Sequence, residues 1–351
     1  MRPQPAAADA VLEVIDPGLL TSVQDLGRPD RGPEGITRGG AADTWSLAVA
    51  NALVGNDAGA AALECTLLGP VVRALRAVTV GIGGTMAAHV VETGMLVRPG
   101  ASVILEEGWT LALESPGTGG ARGYLAVPGG IAVPVILGSR STALGAGFGG
   151  FGGRALRAGD RLTVAAPPDR RTPPAARWPG EPAVGPGPVR ILPGPDAIEL
   201  PEDALADQPL VDGALADGAL ARLIAGPWLV NHASDRVGLR LDGPTLPRRL
   251  SGERASHGVV AGTIQLPPDG RPIVLLVDHQ PTGGYPVLGV VIQADLPVLA
   301  QLAPGASVDL RLVTPGDARQ ALAERSLAFD AGVSALREAA RWDDLWQGAG
   351  G

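Results

Sequence analysis

The sequence lacks lysine, has one cysteine and contains few aromatic residues. All 28 basic residues are arginine, so the chain has no amine for a Schiff base, no covalent pyridoxal site and no Walker-type phosphate loop. Biotin and lipoate are attached to lysine amines, so this chain carries no covalent biotin. The single cysteine, Cys65, excludes an internal disulfide and a cysteine-rich zinc site.

The chain also has fewer basic than acidic residues. There are 36 acidic residues against 28 arginines, a formal net charge of −8. Because phosphate affinity comes mainly from an excess of Arg and Lys, this balance argues against nucleic-acid binding. No run approaches the roughly 18 apolar residues of a membrane span, and residues 1–9 lack the apolar core of a secretory signal. We therefore expect a cytoplasmic protein that binds neither nucleic acid nor membrane.

Short apolar or alternating runs, bounded by Gly and Pro, fill both halves of the chain and predict a mainly β fold with a few α-helices. Residues 166–188 are rich in proline and lose this periodicity, which is typical of a stiff linker. We therefore predict an N-terminal lobe over residues 11–165, a C-terminal lobe over 189–315 and a helical tail over 316–351.

Three helices stand out from the strand pattern. Asp43 is a good N-cap for a helix with Trp45, Val49 and Leu53 on one face. A second helix is predicted to be capped by Asp295 and to end at Pro304-Gly305, and a third is predicted near residues 334–347.

The most informative stretch for function is the turn Asp278–Pro286. A run of five apolar residues before it predicts a buried strand. The turn brings an acid, an imidazole, an amide, a hydroxyl and a phenol within eight positions, and its two glycines permit close backbone approach to an anion. The alternative is a hydrogen-bonded loop that an aspartate closes. The predicted catalytic residues are Asp278, His279, Gln280, Glu253 and His257.

Arginine must bind anions in a chain without lysine. Arg28, Arg140 and Arg236 can each hold a carboxylate or phosphate through two hydrogen bonds, although each could instead form a structural pair. The two histidines among the catalytic candidates titrate near neutrality when unperturbed. The four histidines of the chain have no metal-ligand spacing, so we expect no metal site. The predicted ligand-binding residues are Asp25, Arg28, Asp43, Arg140, Asp235, Arg236, Thr282, Gly283, Gly284 and Tyr285.

Several motifs occur together in one order along the chain. They are TSVQDLGR, GGAAD, ANALVGN, ALECTLLGP, YLAVPGGI, LGSRST, GGFGGR, SDRVGLRL and DHQPTGGYP. In this combination the chain resembles the biotin-dependent carboxyltransferase-like family. That family includes the C subunit of 5-oxoprolinase, the second subunit of the so-called allophanate hydrolase and the carboxyltransferase domain of urea carboxylase. One position departs from the pattern: Pro281 stands where the family usually has the first of two threonines, which puts in doubt any role that needs both hydroxyls.

The resemblance implies two cyclophilin-like β-barrel lobes with a cleft between them. It also implies an ATP-dependent 5-oxoprolinase, in which this chain and homologues of the A and B subunits hydrolyse 5-oxo-L-proline to L-glutamate, with ATP shared within the complex. In that case we expect Arg140 or Arg236 to hold the substrate carboxylate or a phosphate. Asp278, His279 and Gln280 would order the reacting groups, with Asp25, Arg28 and Glu253 facing them.

Two other functions remain open from the sequence. The first is carboxyl transfer to urea or a similar amide from carboxybiotin held on another chain. The second is a non-catalytic regulator that binds a kinase inhibitor resembling the B subunit.

Overall fold

The computed structural model describes residues 10–117, 119–165, 175–180, 187–197, 218–246 and 255–348, with side chains to residue 340. Glu253 and most of the predicted linker 166–188 lie outside these residues. The chain divides into two compact units. The first unit comprises residues up to 28, residues 39–184 and residues from 324 onward, and the second comprises residues 29–38 and 185–323.

The predicted fold class is confirmed: the protein is mainly β and includes a near-closed barrel sheet. The strands of the first unit are β1 Ala10–Asp16, β2 Leu20–Gln24, β3 Ala62–Thr66, β4 Val71–Ala74, β5 Val78–Gly84, β6 Ala88–Val90, β7 Met95–Val97, β8 Ala101–Leu105, β9 Thr110–Leu113, β10 Arg122–Ala126 and β11 Arg161–Thr163. They form a six-stranded sheet, ordered β11-β1-β4-β9-β6-β7, and a five-stranded sheet, ordered β2-β3-β10-β5-β8.

Strands β1 and β2 are consecutive but belong to different sheets. Gly18 in the connection has φ +67°, and an added Cβ there would overlap the backbone of Leu68. Only glycine accepts both the left-handed conformation and that close approach. The apolar faces of the two sheets form one core cluster, which includes Leu12, Leu63 and Ile82.

Helix α1, Thr44–Ala52, begins where the sequence predicts. Asp43 is its N-cap, and its side chain accepts a hydrogen bond from the backbone N–H of Ser46. The helix packs directly on β5, because Gly81 and Gly83 leave no Cβ between the strand and the helix backbone.

The second unit contains one large sheet. Its strands are β12 Val189–Pro193, β13 Trp228–Val230, β14 Gly238–Asp242, β15 His257–Gly258, β16 Thr263–Gln265, β17 Ile273–Leu275, β18 Thr282–Gly283, β19 Val287–Val291, β20 Ser307–Val308 and β21 Leu310–Leu312. Eight of them are ordered β20-β13-β14-β17-β16-β19-β12-β21. Strands β15 and β18 form a separate ribbon of two strands. The large sheet packs over its own core, which includes Ile191, Trp228 and Ile264.

The other helices are α2 Gly218–Ala225, α3 Leu296–Ala300 and α4 Pro315–Gly348. The sequence placed a helix start at Asp295 correctly but gave its side chain the wrong partner. Both carboxylate oxygens bind Arg190, at 2.6–2.9 Å, and make no cap hydrogen bond. The last helix begins soon after β21 and is far longer than the predicted segment near 334–347. Among the described residues, no helix is both long and apolar enough to cross a membrane.

Candidate functional site

The first cluster of predicted site residues surrounds the turn 136–141 in the first unit. Asp25 follows β2 and holds this turn. Its Oδ1 accepts hydrogen bonds from Ser139 Oγ at 2.6 Å and from the backbone N–H of Gly27 at 2.8 Å, and its Oδ2 accepts one from the backbone N–H of Arg140 at 2.6 Å. The carboxylate therefore fixes the backbone from which the Arg140 side chain projects.

Arg28 supports the same turn from the other side. Its side chain is 1% exposed and donates to Ile136 O at 3.1 Å, to Ser141 Oγ at 3.0 Å and to Ser141 O at 2.7 Å. The guanidinium also lies 4.8 Å from the ring centroid of Phe148. Arg28 is thus bonded to the protein at all three nitrogens, and its role in this structure is to hold the turn.

Arg140 differs from Arg28 in having its charge uncommitted. Its side chain is half-buried, and its Nε is buried without a hydrogen-bond partner. Over the part of the chain that is described, no carboxylate forms an ion pair with this guanidinium. An arginine whose backbone is held by Asp25 and whose Nε is buried without a partner is suited to bind a carboxylate or phosphate from a ligand.

The glycines of the GGFGGR motif allow the chain to pass close to this turn. An added Cβ at Gly149 would overlap Ser141 O and lie 2.6 Å from Arg28 Nη2, and one at Gly150 would overlap Thr142. Both glycines have positive φ, +74° and +48°. The motif is therefore a close-packing element around the Arg28–Ser141 contact.

Asp43 lies fully buried in a different polar network of the first unit. Both of its side-chain oxygens bind Ser46. Its backbone N–H donates to the Tyr124 hydroxyl, which in turn donates to Glu64 Oε2 at 2.8 Å. Burial, followed by the charges of Glu64 and Asp43, raises the pKa of Tyr124 well above its usual range, so the phenol stays protonated. The helix cap that the sequence predicted for Asp43 is confirmed.

The second cluster is the turn 278–285 in the second unit. Asp278 accepts two hydrogen bonds from Arg236, one from Nε at 2.8 Å and one from Nη2 at 3.1 Å. Arg236 is 5% exposed, and the backbone N–H of Asp278 also donates to Arg236 O. This pair joins the turn to the segment before β14. The guanidinium of Arg236 is therefore already hydrogen-bonded within the protein, as the guanidinium of Arg28 is.

His279 follows Asp278 and is nearly buried, at 8% exposure. Its Nδ1 lies 2.6 Å from Gln280 O. A carbonyl oxygen only accepts, so Nδ1 carries the proton and the lone pair is on Nε2. Burial lowers the pKa of His279 below its ordinary value, against a smaller opposing effect of the bond to Gln280 and of Asp278. The ring is therefore neutral at physiological pH and has one acceptor nitrogen.

The ribbon of β15 and β18 brings His257 beside this turn. His257 pairs with Gly283, and Gly258 pairs with Thr282. The side chains of Gln280, Thr282 and Tyr285 are exposed and Gly284 is half-buried. Asp235 is exposed, and its Oδ1 accepts from the backbone N–H groups of Val237 and Gly238, so it closes a local turn.

The structure thus brings most of the predicted residues together in two groups, one within each unit. Asp25, Arg28 and Arg140 surround one turn of the first unit. Asp278, His279 and Arg236 meet in the second unit, with His257 beside them. Asp43 belongs to neither group. The cleft between two lobes that the resemblance implies stays a prediction.

Sequence reasoning missed three residues that organise these groups. Ser139 and Ser141 have their hydroxyls 2.7 Å apart and connect Asp25 to Arg28. Their only signal was the LGSRST motif. Gln265 lies under Gly283, and an added Cβ at that glycine would overlap its Nε2. An isolated glutamine in an apolar strand carried no signal of its own.

Comparison with known proteins identifies the class. The profile of the carboxyltransferase domain, subdomain A and B, matches residues 34–312. The chain belongs to this family, as the motifs predicted.

Two curated relatives are named as different enzymes. The chain is 37% identical over 295 residues to the C subunit of 5-oxoprolinase from Escherichia coli (strain K12), a match that covers 84% of this chain and 89% of that protein. It is 32% identical over 321 residues to a putative urea carboxylase of Emericella nidulans, covering 88% of this chain but 24% of the relative.

A solved relative has the same fold. The crystal structure of TTHA0988 superposes with a TM-score of 0.74 at 36% sequence identity, over 88% of this chain and 57% of that one. The chain thus spans most of the E. coli protein, little more than half of TTHA0988 and about a quarter of the urea carboxylase.

Proposed function

We propose that this chain is the C subunit of an ATP-dependent 5-oxoprolinase and acts with homologues of the A and B subunits to convert 5-oxo-L-proline to L-glutamate. The observation that carries the proposal is the uncommitted guanidinium of Arg140. The similarity to a protein named as the C subunit of 5-oxoprolinase, over 89% of its length, supports the same assignment.

The three candidate arginines are not equivalent ligands for an anion. Arg28 and Arg236 already bind Ser141 and Asp278, so a ligand would have to break those bonds. Among the described residues, Arg140 Nε has no hydrogen-bond partner and no carboxylate pairs with the guanidinium. 5-Oxo-L-proline carries a carboxylate next to its lactam, whereas urea is neutral. We assign the carboxylate of the lactam to Arg140, and this favours the lactam over urea as the substrate.

The proposed chemistry uses ATP because an amide carbonyl is a weak electrophile. Phosphorylation of the lactam oxygen by ATP activates the carbonyl carbon. Water adds to that carbon and the C–N bond breaks, so that the ring nitrogen takes up a proton and becomes the amine of glutamate. A second water then hydrolyses the resulting acyl phosphate to the γ-carboxylate and phosphate. In the second unit, the neutral Nε2 of His279 has a lone pair that can accept a proton. The phosphate site is not assigned to any residue of this chain, which contains no Walker-type loop.

The absence of lysine provides a direct test at Arg140. Arg140→Lys introduces the only ε-amine of the chain, and an amine-reactive ester followed by peptide mass spectrometry reports its access. We expect 5-oxo-L-proline to protect this lysine in the full-length chain co-purified with its B-subunit homologue, and urea to leave it reactive. Arg271→Lys, at an exposed surface pair with Asp242, is the control and should be labelled equally in all conditions.

Kinetics provide the second arm of the test. Loss of a charge-assisted hydrogen bond costs about 1.5–3 kcal/mol, so Arg140→Ala should raise KM for 5-oxo-L-proline about 10- to 100-fold. An unchanged KM, or equal protection by urea, would show that Arg140 does not bind the carboxylate.

Carboxyl transfer is the second candidate, and the similarity to urea carboxylase favours it. In that case the biotin must be carried by another chain. Protection of the Arg140→Lys amine by urea, together with biotin-dependent carboxylation, would support this function over the first.

A further inference from the structure

The amide of Gln265 is a buried polar group without a partner. Gln265 is 2% exposed, and its Nε2 is shielded from solvent with no acceptor within hydrogen-bond distance among the described residues. A buried donor in this state costs about 1–3 kcal/mol of stability. Methionine has a similar volume and would fill the same space without that cost. The presence of an amide here therefore requires a reason outside the free fold.

The position of Gln265 indicates that reason. It ends β16, whose preceding residue Ile264 is fully buried in the core of the second unit. On the other side, the Gln265 amide lies against the Cα of Gly283 in the turn 278–285, so closely that an added Cβ would overlap Nε2. The side chain thus supports the underside of the turn that contains His279.

The part of the turn above Gln265 is weakly held. Strand β18 contains only Thr282 and Gly283, and its pairing with β15 is limited to two residue pairs. One further hydrogen bond, from the N–H of Val259 to Pro281 O, extends this ribbon. Thr282 and Gly258 are exposed. A small rearrangement of this ribbon therefore breaks few contacts.

We propose that Gln265 is a positioning residue for the turn 278–285. In the ligand-bound protein its Nε2 donates to a backbone carbonyl oxygen of residues 282–284, and the free protein does not present that oxygen to it. The donor that has no acceptor in the free protein thus gains a hydrogen bond in the ligand-bound protein, and this gain favours binding. The identity of the ligand, a small amide such as 5-oxo-L-proline, rests on the function proposed above, but the position of Gln265 does not.

The first experiment measures stability without ligand. Gln265→Met in the full-length chain should unfold at the same or a higher temperature than the wild type, because the buried donor is removed. Asn51→Leu is the matched control. Its amide is equally buried but satisfied, donating to Ala60 O at 2.8 Å and accepting from Asn56, so it should unfold at a lower temperature. A comparable fall for both variants would identify Gln265 as an ordinary packing residue and overturn the proposal.

The second experiment measures binding in the assembled complex. Gln265→Met should raise KM for 5-oxo-L-proline about tenfold and change kcat less than twofold, because the lost bond belongs to ligand-induced ordering. A merely structural role would leave KM unchanged, and that result would contradict the proposal.

Hydrogen exchange separates this inference from the proposed function. Backbone amides of residues 282–285 should become protected in the wild-type complex when the compound that it binds is added, and less so in Gln265→Met. That compound is 5-oxo-L-proline under the function proposed above and urea under the second candidate. Absence of glutamate release with this protection present would refute only the proposed function. Absence of protection with both compounds would refute the role of Gln265.

Discussion

Asp25, which is half-buried, shows how much of the candidate site depends on single side chains. Its two oxygens accept three hydrogen bonds from Gly27, Ser139 and Arg140. Asp25→Ala leaves these donors without an acceptor, so we expect the free energy of unfolding to fall by about 2–3 kcal/mol. Urea denaturation of the full-length chain measures this. Glu34→Ala, at an exposed pair with Arg31, should change it by less than about 0.5 kcal/mol, and an equal loss in both variants would contradict the account.

His279 predicts a pH dependence with a definite sign. Burial lowers its pKa in the folded state below the ordinary 6.5, so the unfolded chain takes up this proton first as pH falls. The contribution of His279 to stability is then complete above about pH 6.5 and is lost as pH falls from there toward the folded pKa. His279→Gln removes this dependence. The urea midpoint of the wild type should fall relative to that of His279→Gln as pH is lowered from about 8 to about 5, and parallel curves would exclude a lowered pKa.

For single residues, the sequence predicted which residue types form the candidate site. It did not predict which of their side chains are already used in contacts within the protein. It selected Arg28, Arg140 and Arg236 as equivalent candidates. Which of them is free depends on carbonyl and carboxylate groups more than 40 positions away in sequence, such as Ser141 for Arg28 and Asp278 for Arg236. Those contacts follow from the fold and leave no local pattern.

Helix α1 is the element in which local sequence rules are best obeyed. Asp43 caps it through Oδ1, which accepts from the backbone N–H of Ser46, while its Oδ2 accepts from the Ser46 hydroxyl. Asp43→Ala should lower the free energy of unfolding by about 1–2 kcal/mol, because the cap bond is lost. Asp43→Ser retains a cap acceptor and should recover part of that loss. Thermal unfolding of both variants checks this, and equal values for them would show that Asp43 acts through its charge rather than as a cap.

The contact between α1 and β5 predicts a second effect at this scale. Gly83 has no positive φ, but an added Cβ would overlap Ser46 O in the helix. Gly83→Ala should therefore destabilise the first unit by about 1–3 kcal/mol through overpacking. Gly145→Ala is the control, since nothing lies within 4 Å of its added Cβ. If both alanine variants unfold at the wild-type urea concentration, α1 and β5 are not in direct contact.

Elements whose ends depend on distant residues were predicted less well. Asp295 follows the pattern of a cap, but Arg190 from the neighbouring strand β12 takes its carboxylate. Helix α4 includes residues 315–333 without a strong apolar stripe, so the periodicity revealed only its later part. For Asp295, the competing contact lies outside the window of sequence in which capping is judged.

For the whole molecule, the sequence predicted the fold class and the family, because the motifs are spread along both units. The grouping of residues 29–38 with the second unit and of residues from 324 onward with the first had no such signal. A boundary drawn from composition divides a chain into consecutive pieces and cannot represent segments that group with a distant part of the sequence.

The central claim is that this chain completes an ATP-dependent lactamase. Its most direct test is glutamate release from 5-oxo-L-proline by co-purified homologues of the A and B subunits, measured with ATP, with and without this chain. We predict release only when all three chains and ATP are present, and a rise in KM when the Arg140→Ala chain replaces the wild type. Full release without this chain, or no release with all three, would contradict the account.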